Sequence, residues 1–216
     1  MNLSKFLHDI MLANKKFDLN FDSFSIGQLQ SKEWVVEIMK DVRMVKKIEY
    51  GTIFNLCGWY GILSAMLWVK DVPFSTIRSF DIDESCLEIA DQINKTNSGD
   101  NWRFKAITKD IFNINFEGDT WQVWSNANNR MCHPITDVPD TIINTSCEHT
   151  NPSWFQNIPR GKIVILQSND FLEGDGHVNC MTDLDEFKEV YPLTETWYDG
   201  SMKFPKYKRF MLIGVK

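Results

Sequence analysis

The stretch Gly51–Asp83, GTIFNLCGWYGILSAMLWVKDVPFSTIRSFDID, decides how the whole chain is read. It divides into strand, glycine turn, helix and strand, with an acidic end. Thr52 to Leu56 carries the β-enriched Ile53 and Phe54. Gly58 and Gly61 bracket Trp59 and Tyr60. Ile62 to Val69 is an apolar run with Ala, Met, Leu and Trp, which suits a buried helix. Pro73 breaks that run, and Ile77 to Phe80 form the next strand, closed by Asp81. A parallel strand-helix-strand unit brings its first turn and the end of its second strand to one rim of the sheet. Glycines there let the backbone approach a ligand, and an acidic side chain at the second strand end can accept from ribose hydroxyls.

Downstream of this unit, ESCLEIADQINKTNSG predicts a helix carrying Leu87, Ile89, Ala90 and Ile93, with Asp83 as its N-cap. Trp102 to Ile107 reads as a third strand. Gly118 to Pro139 is a long polar segment with a short strand around Trp121 to Trp124, and its length marks it as functional. DTIINT, from Asp140, is an apolar strand that closes in the polar cluster SCEHTN. GKIVILQ, from Gly161, is a buried strand. A loop over Asn169 to Cys180 leads to a helix from Thr182 or Asp183 through Val190. Thr194 to Tyr198 and Tyr207 to Val215 read as a final antiparallel pair. Upstream, Leu3, Phe6, Leu7, Ile10 and Met11 recur at helical spacing. NFDSFSIGQLQS reads as a break, after which Ser31 caps a second helix carrying Trp34, Ile38, Val42 and Val45.

This order resembles class I S-adenosylmethionine (SAM)-dependent methyltransferases, over roughly Gly51 to the C-terminus. The carriers of the resemblance are the G-x-x-G of Gly58 to Gly61, FDID at Phe80 to Asp83, and Asp110 in ITKDIF. The resemblance implies a doubly wound, mostly parallel seven-stranded α/β sheet with a C-terminal antiparallel pair. Residues 1–50 would be a helical extension or lid, and 51–216 the Rossmann-like SAM-binding domain. It places Asp81 at the ribose, Ile82 beside the adenine and Asp110 near the adenine amino group. Asn55, Cys57, Gly58, Gly61, Ile111 and Asn144 would complete the cofactor side. The activity implied is methyl transfer to a small-molecule or protein acceptor, with RNA or a modified nucleotide also open. Two positions depart from the family pattern: Trp59 stands at a usual glycine, and Asn55 where Asp or Glu is usual. They support an alternative, a SAM-binding or scaffold protein that kept the sheet and lost turnover. A short dehydrogenase is disfavoured by the missing third glycine and the absence of a Y-x-x-x-K pair in a suitable helix.

Composition narrows the function classes. With 216 residues the chain can bury a substantial core. The net charge of -6 argues against duplex nucleic acid as the partner. Five cysteines without a C-x-x-C pair point to free thiols and a reducing, cytoplasmic setting. No apolar run reaches the length of a membrane span, and Asp9 interrupts the N-terminal apolar stretch, against a signal peptide.

Ligands of open α/β sheets bind beyond the carboxyl ends of the strands. That rule makes Asn144 to His149 the acceptor side. His149 is the candidate general base, Glu148 its orienting group or a partner for a cationic acceptor, and His177 a second candidate on the same rim. Cys147 is weighed as a nucleophile against simple packing. Cys132, His133, Cys147, His149, His177 and Cys180 include metal-ligand types, but no pair has finger-type or H-E-x-x-H spacing, so no metal site is expected. Lys203, Lys206, Lys208 and Arg209 read as solvated charges protecting a terminal hairpin.

Overall fold

The computed structural model describes residues 2–99, 101–122, 124–125 and 130–216. Part of the polar segment between Gly118 and Pro139 therefore lies outside the described residues. The chain runs α1 (Leu3–Lys16), α2 (Ile26–Lys46), β1 (Thr52–Leu56), α3 (Ile62–Val69), β2 (Thr76–Asp81), α4 (Ser85–Ile93), α5 (Lys95–Ser98) and β3 (Phe104–Thr108). Four short strands follow: β4 (Asp119–Trp121), β5 (Trp124–Ser125), β6 (Arg130–Met131) and β7 (Ile135–Asp137). The remainder is β8 (Thr141–Asn144), β9 (Ile163–Asn169), α6 (Leu184–Val190), β10 (Glu195–Lys203) and β11 (Lys208–Val215).

Seven strands form one sheet in the order β10-β11-β9-β8-β1-β2-β3. The five from β9 to β3 are parallel, and β11 runs antiparallel to both β9 and β10. Register fixes a common rim. Leu56 pairs with Phe80 and with Asn144, Asp81 with Thr108, and Asn144 with Leu166. The carboxyl ends of all five parallel strands therefore lie side by side, as expected of this connectivity.

The apolar runs are continuous because both faces of the sheet are covered. Ile53, Ile77, Phe104, Ile143, Ile165 and Met211 pack on one face with Val35, Met39 and Val42 of α2 and Leu63 and Leu67 of α3. Phe54, Leu56, Phe80, Ile142, Leu166 and Phe210 pack on the other with Trp154, Phe155, Phe187 and Tyr191. Each such buried Phe or Leu contributes about 1.5–3 kcal/mol. Helix α2 thus shares the core of the sheet, while α1 lies further out against α3 and α4.

Two sequence expectations are corrected here, at Ser31 and at Arg209. Ser31 does not cap a helix. It sits inside α2, which starts at Ile26, and its hydroxyl donates to Gln167 Oε1 (2.8 Å). That buried partner on β9 removes the cost of a serine in mid-helix. The crossover from β3 to β8 carries no α-helix among the described residues. Its place is taken by the β4–β7 ribbon, fastened by Arg78, whose Nε donates to Asp137 (2.7 Å) and whose guanidinium lies over Trp121. Arg209 is the second correction. It is not a solvated edge charge but is buried, 5% exposed, and points to the rim. No described helix is long and apolar enough to cross a membrane.

Candidate active site

The loop after β1 is shaped by backbone constraint. Cys57 (φ 50°) and Trp59 (φ 46°) take left-handed conformations, each costing on the order of 1 kcal/mol in a non-glycine residue. Three bonds offset that strain. Gly58 N–H donates to Phe80 O (2.9 Å), Gly61 N–H to Gly58 O (2.8 Å) and Trp59 N–H to Asp81 Oδ2 (2.7 Å). A Cβ on Gly58 would lie 2.0 Å from Ser79 Oγ and 2.6 Å from Asn55 Nδ2. Gly61 (φ 66°) packs its Cα face against Asn94 and Phe104. Both glycine N–H groups are thus engaged, Gly58's on Phe80 O of β2 and Gly61's on Gly58 O; Gly58 lets the loop lie close on β2, and Gly61 lets it lie against Asn94 and Phe104. Asn55 is also not at the surface. It is buried beneath the loop and donates to Ser79 Oγ (3.1 Å).

Beside that loop opens a cleft of about 220 Å³. It brings together six of the expected residues: Cys57, Asp81, Ile82, Asp110, Ile111 and His149. Asp81 forms one wall, its Oδ1 accepting from Asp83 N–H (3.1 Å). Ile82 is 70% exposed and offers an apolar face to a flat ring. Asp110 caps the next turn through Phe112 N–H (3.0 Å) and still lines the cleft. Trp59 does not fill this space. Its ring packs with Tyr60 on the other side of Asp81. Burial, helped by the carboxylates of Asp81, Glu148 and Asp110, pushes the Cys57 thiol up to about 12. It is therefore a packing group at neutral pH and not a nucleophile.

The acceptor side is built from the ends of β8 and β9. Asn144 does not reach the cleft. It is buried, and its Oδ1 accepts from Ser146 N–H (2.9 Å), so it holds the turn that follows. Cys147 is fully buried, with its thiol held protonated first by burial and then by Glu148. Glu148 is only 1% exposed and does not face an acceptor. Its Oε1 accepts from Asn169 Nδ2 (2.6 Å) and from Arg209 Nη2 (3.1 Å). His149 and His177 meet edge to face with ring centres 4.6 Å apart. Only His149 of the three lines the cleft.

Two members of this site were missed in the sequence. Arg209 lies in a run, KRFMLIGV, whose burial could have flagged it. Lys32 on α2 carries no local signal. It is pushed down to about 7 by desolvation and then by Arg209, with Glu148 and Asp22 opposing. The ordinary value is 10.5, so above about 7 the unfolded chain holds a proton that the folded chain releases, and stability rises with pH until about 10.5. Denaturant unfolding of wild type and Lys32→Met across that window should show the gap moving in favour of wild type as pH rises. A gap that stays constant would contradict this environment for Lys32.

The sheet order and the rim define the class I SAM-dependent methyltransferase fold, and the solved structures agree. Among them is magnesium protoporphyrin IX methyltransferase from Synechocystis with bound SAM, at TM-score 0.60 and 12% identity, covering 92% of this chain and 85% of that one. The N-methyltransferase NodS from Bradyrhizobium japonicum aligns at TM-score 0.58 and 9% identity, covering 87% and 97%. The O-methyltransferase from Bacillus cereus in complex with SAH aligns at TM-score 0.58 and 14% identity, covering 100% and 92%. At these identities the likeness is one of fold. No protein-family model and no curated protein sequence matches the chain.

Proposed function

We propose that this protein is a SAM-dependent methyltransferase acting on a small-molecule acceptor. The observation that carries the reading is the cleft in which Asp81, Ile82 and Asp110 meet His149. Asp81 keeps acceptor capacity beyond its two backbone bonds and suits a pair of ribose hydroxyls. Ile82 suits the face of an adenine, and Asp110 its amino group. SAM, when bound, supplies an activated methyl group on a sulfonium. The protein's own contribution is to fix the acceptor in line and to exclude water, which needs positioning more than chemistry. His149 is the group placed to take a proton from the acceptor. Glu148 and His177 act as positioning residues behind it.

That the structural neighbours include enzymes named for a porphyrin, N- and O-methylation supports a small acceptor over a protein one. Calorimetric titration with SAH tests the cofactor side. Binding with a Kd on the order of 1–100 µM is expected. No heat at about millimolar SAH or SAM would remove the proposal. Incubation with methyl-labelled SAM and a fractionated extract then tests the acceptor: label should pass to the small-molecule fraction, and label confined to protein would overturn that part.

A further inference from the structure

We propose that Glu148, His149 and His177 form a three-ligand site for a first-row divalent cation of the zinc type, opening on the cleft through His149. A carboxylate oxygen of Glu148 and a ring nitrogen of each histidine lie within 4.8 Å of one another. Zinc bonds of about 2.0–2.2 Å place tetrahedral ligand atoms roughly 3.3–3.6 Å apart, so small side-chain rotations close the set. Two imidazoles and one carboxylate suit zinc and its neighbours in the first row, and three protein ligands leave a position for an incoming group.

The surroundings are those of a built site. His149 ends the short turn Cys147–His149 after β8. His177 comes from the loop after β9, which is clipped to that turn by Val178 and Asn179 N–H groups donating to Glu148 O (2.8 and 2.9 Å). His149 Nδ1 faces Gly176 O at 3.2 Å, and His177 Nδ1 faces Phe171 O at 2.5 Å. A carbonyl can only accept, so each Nδ1 carries a hydrogen, and in the neutral ring Nε2 is the atom with the lone pair. Backbone carbonyls orient metal-binding histidines in this way. Gly174 makes room for the second ring, since a Cβ there would stand 2.3 Å from His177 Cε1.

An independent observation points to a ligand at the same place. Glu148 is 1% exposed, and its Oε2 has no hydrogen-bond partner among the described residues. Thr150 Oγ1 and Ser168 Oγ, oxygens around the same strand ends, are likewise buried without partners. Orphaned groups of this kind cost about 1–3 kcal/mol each and call for an occupant. Arg209 and Asn169 engage Oε1 alone, which leaves Oε2 for a cation. The histidines read as ligand types in the sequence, but their spacing hides the set: one ligand pair is adjacent and the third lies a whole strand away.

The site's place on the acceptor side rests on the methyltransferase reading; cation binding does not, so the two can fail separately. A metal-bound His149 has no lone pair for an acceptor proton, so the cation would replace it as the polarising group there. The test is titration of the chelator-treated protein with Co²⁺, followed by visible absorption, and with Zn²⁺ by calorimetry. One equivalent with a tetrahedral Co²⁺ spectrum is expected. His149→Ala and His177→Ala should each weaken uptake at least about tenfold, while His8→Ala on α1 leaves it unchanged. Gly174→Ala, which crowds the His177 ring without replacing a ligand, should weaken it as well. Absence of uptake at about 0.1 mM metal, or uptake unchanged in the His149→Ala/His177→Ala double variant, overturns the proposal. SAH titrations with and without Zn²⁺ report on the cofactor side independently.

Discussion

Asp81→Ala should weaken SAH binding by about 100-fold while the protein stays folded. The carboxylate serves two masters. Its oxygens accept the Trp59 and Asp83 amides at 2.7 and 3.1 Å, and its remaining lone pairs face the cleft. Hydrogen bonds to a charged partner are worth about 1.5–3 kcal/mol each. Losing both ribose hydroxyl contacts accounts for the expected factor, and relaxation of the strained Cys57–Trp59 loop adds to it. Asp81→Asn keeps the shape and loses the charge, so its loss should be smaller. Calorimetry with SAH, with a thermal melt of each variant as the folding control, is the measurement. Unchanged affinity in Asp81→Ala would place the nucleoside elsewhere.

The largest stability effect is expected at Arg209. Its Nη2 holds Glu148 and its Nη1 donates to Thr145 O at 2.9 Å. Arg209→Met leaves a carboxylate buried without its counter-charge, which costs about 3–5 kcal/mol. For a chain of this size that is roughly 10 °C in Tm. The double variant Arg209→Met/Glu148→Gln should recover most of the loss, because the unpaired charge is gone and only hydrogen bonds are missing. Urea unfolding midpoints at constant slope decide the matter. A single variant within about 0.5 kcal/mol of wild type would mean that water reaches Glu148.

The sheet could be read from the sequence because its strands are continuous apolar runs flanked by turn residues, and because a parallel unit fixes where those runs end. Asp81 and His149 stand at strand ends that this geometry picks out, and Asp110 came with the family resemblance. The glycines carry a constraint that the sequence did not show. Gly58 is required by Ser79 and Asn55 beneath it, a contact between strands that no local pattern announces. Ser31 reaches Gln167 across 136 positions and Arg209 reaches Glu148 across 61, and periodicity within a window carries nothing about such pairs. Asn144 and Glu148 are polar residues at a strand end in both a buried and an exposed reading. Only packing separates the two.

The two faces of the sheet are upholstered in different materials. Regular helices, α2, α3 and α4, back the first. The second is covered mostly by single turns and loops from Ile111 to Tyr191, with α6 as its one α-helix among the described residues. The turn Cys147–His149 and the loop after β9 belong to this second covering, whereas the loops after β1 and β2 lead into the helical backing. Evolution can therefore retailor the lining of the binding mouth piece by piece and leave the spine of the molecule standing.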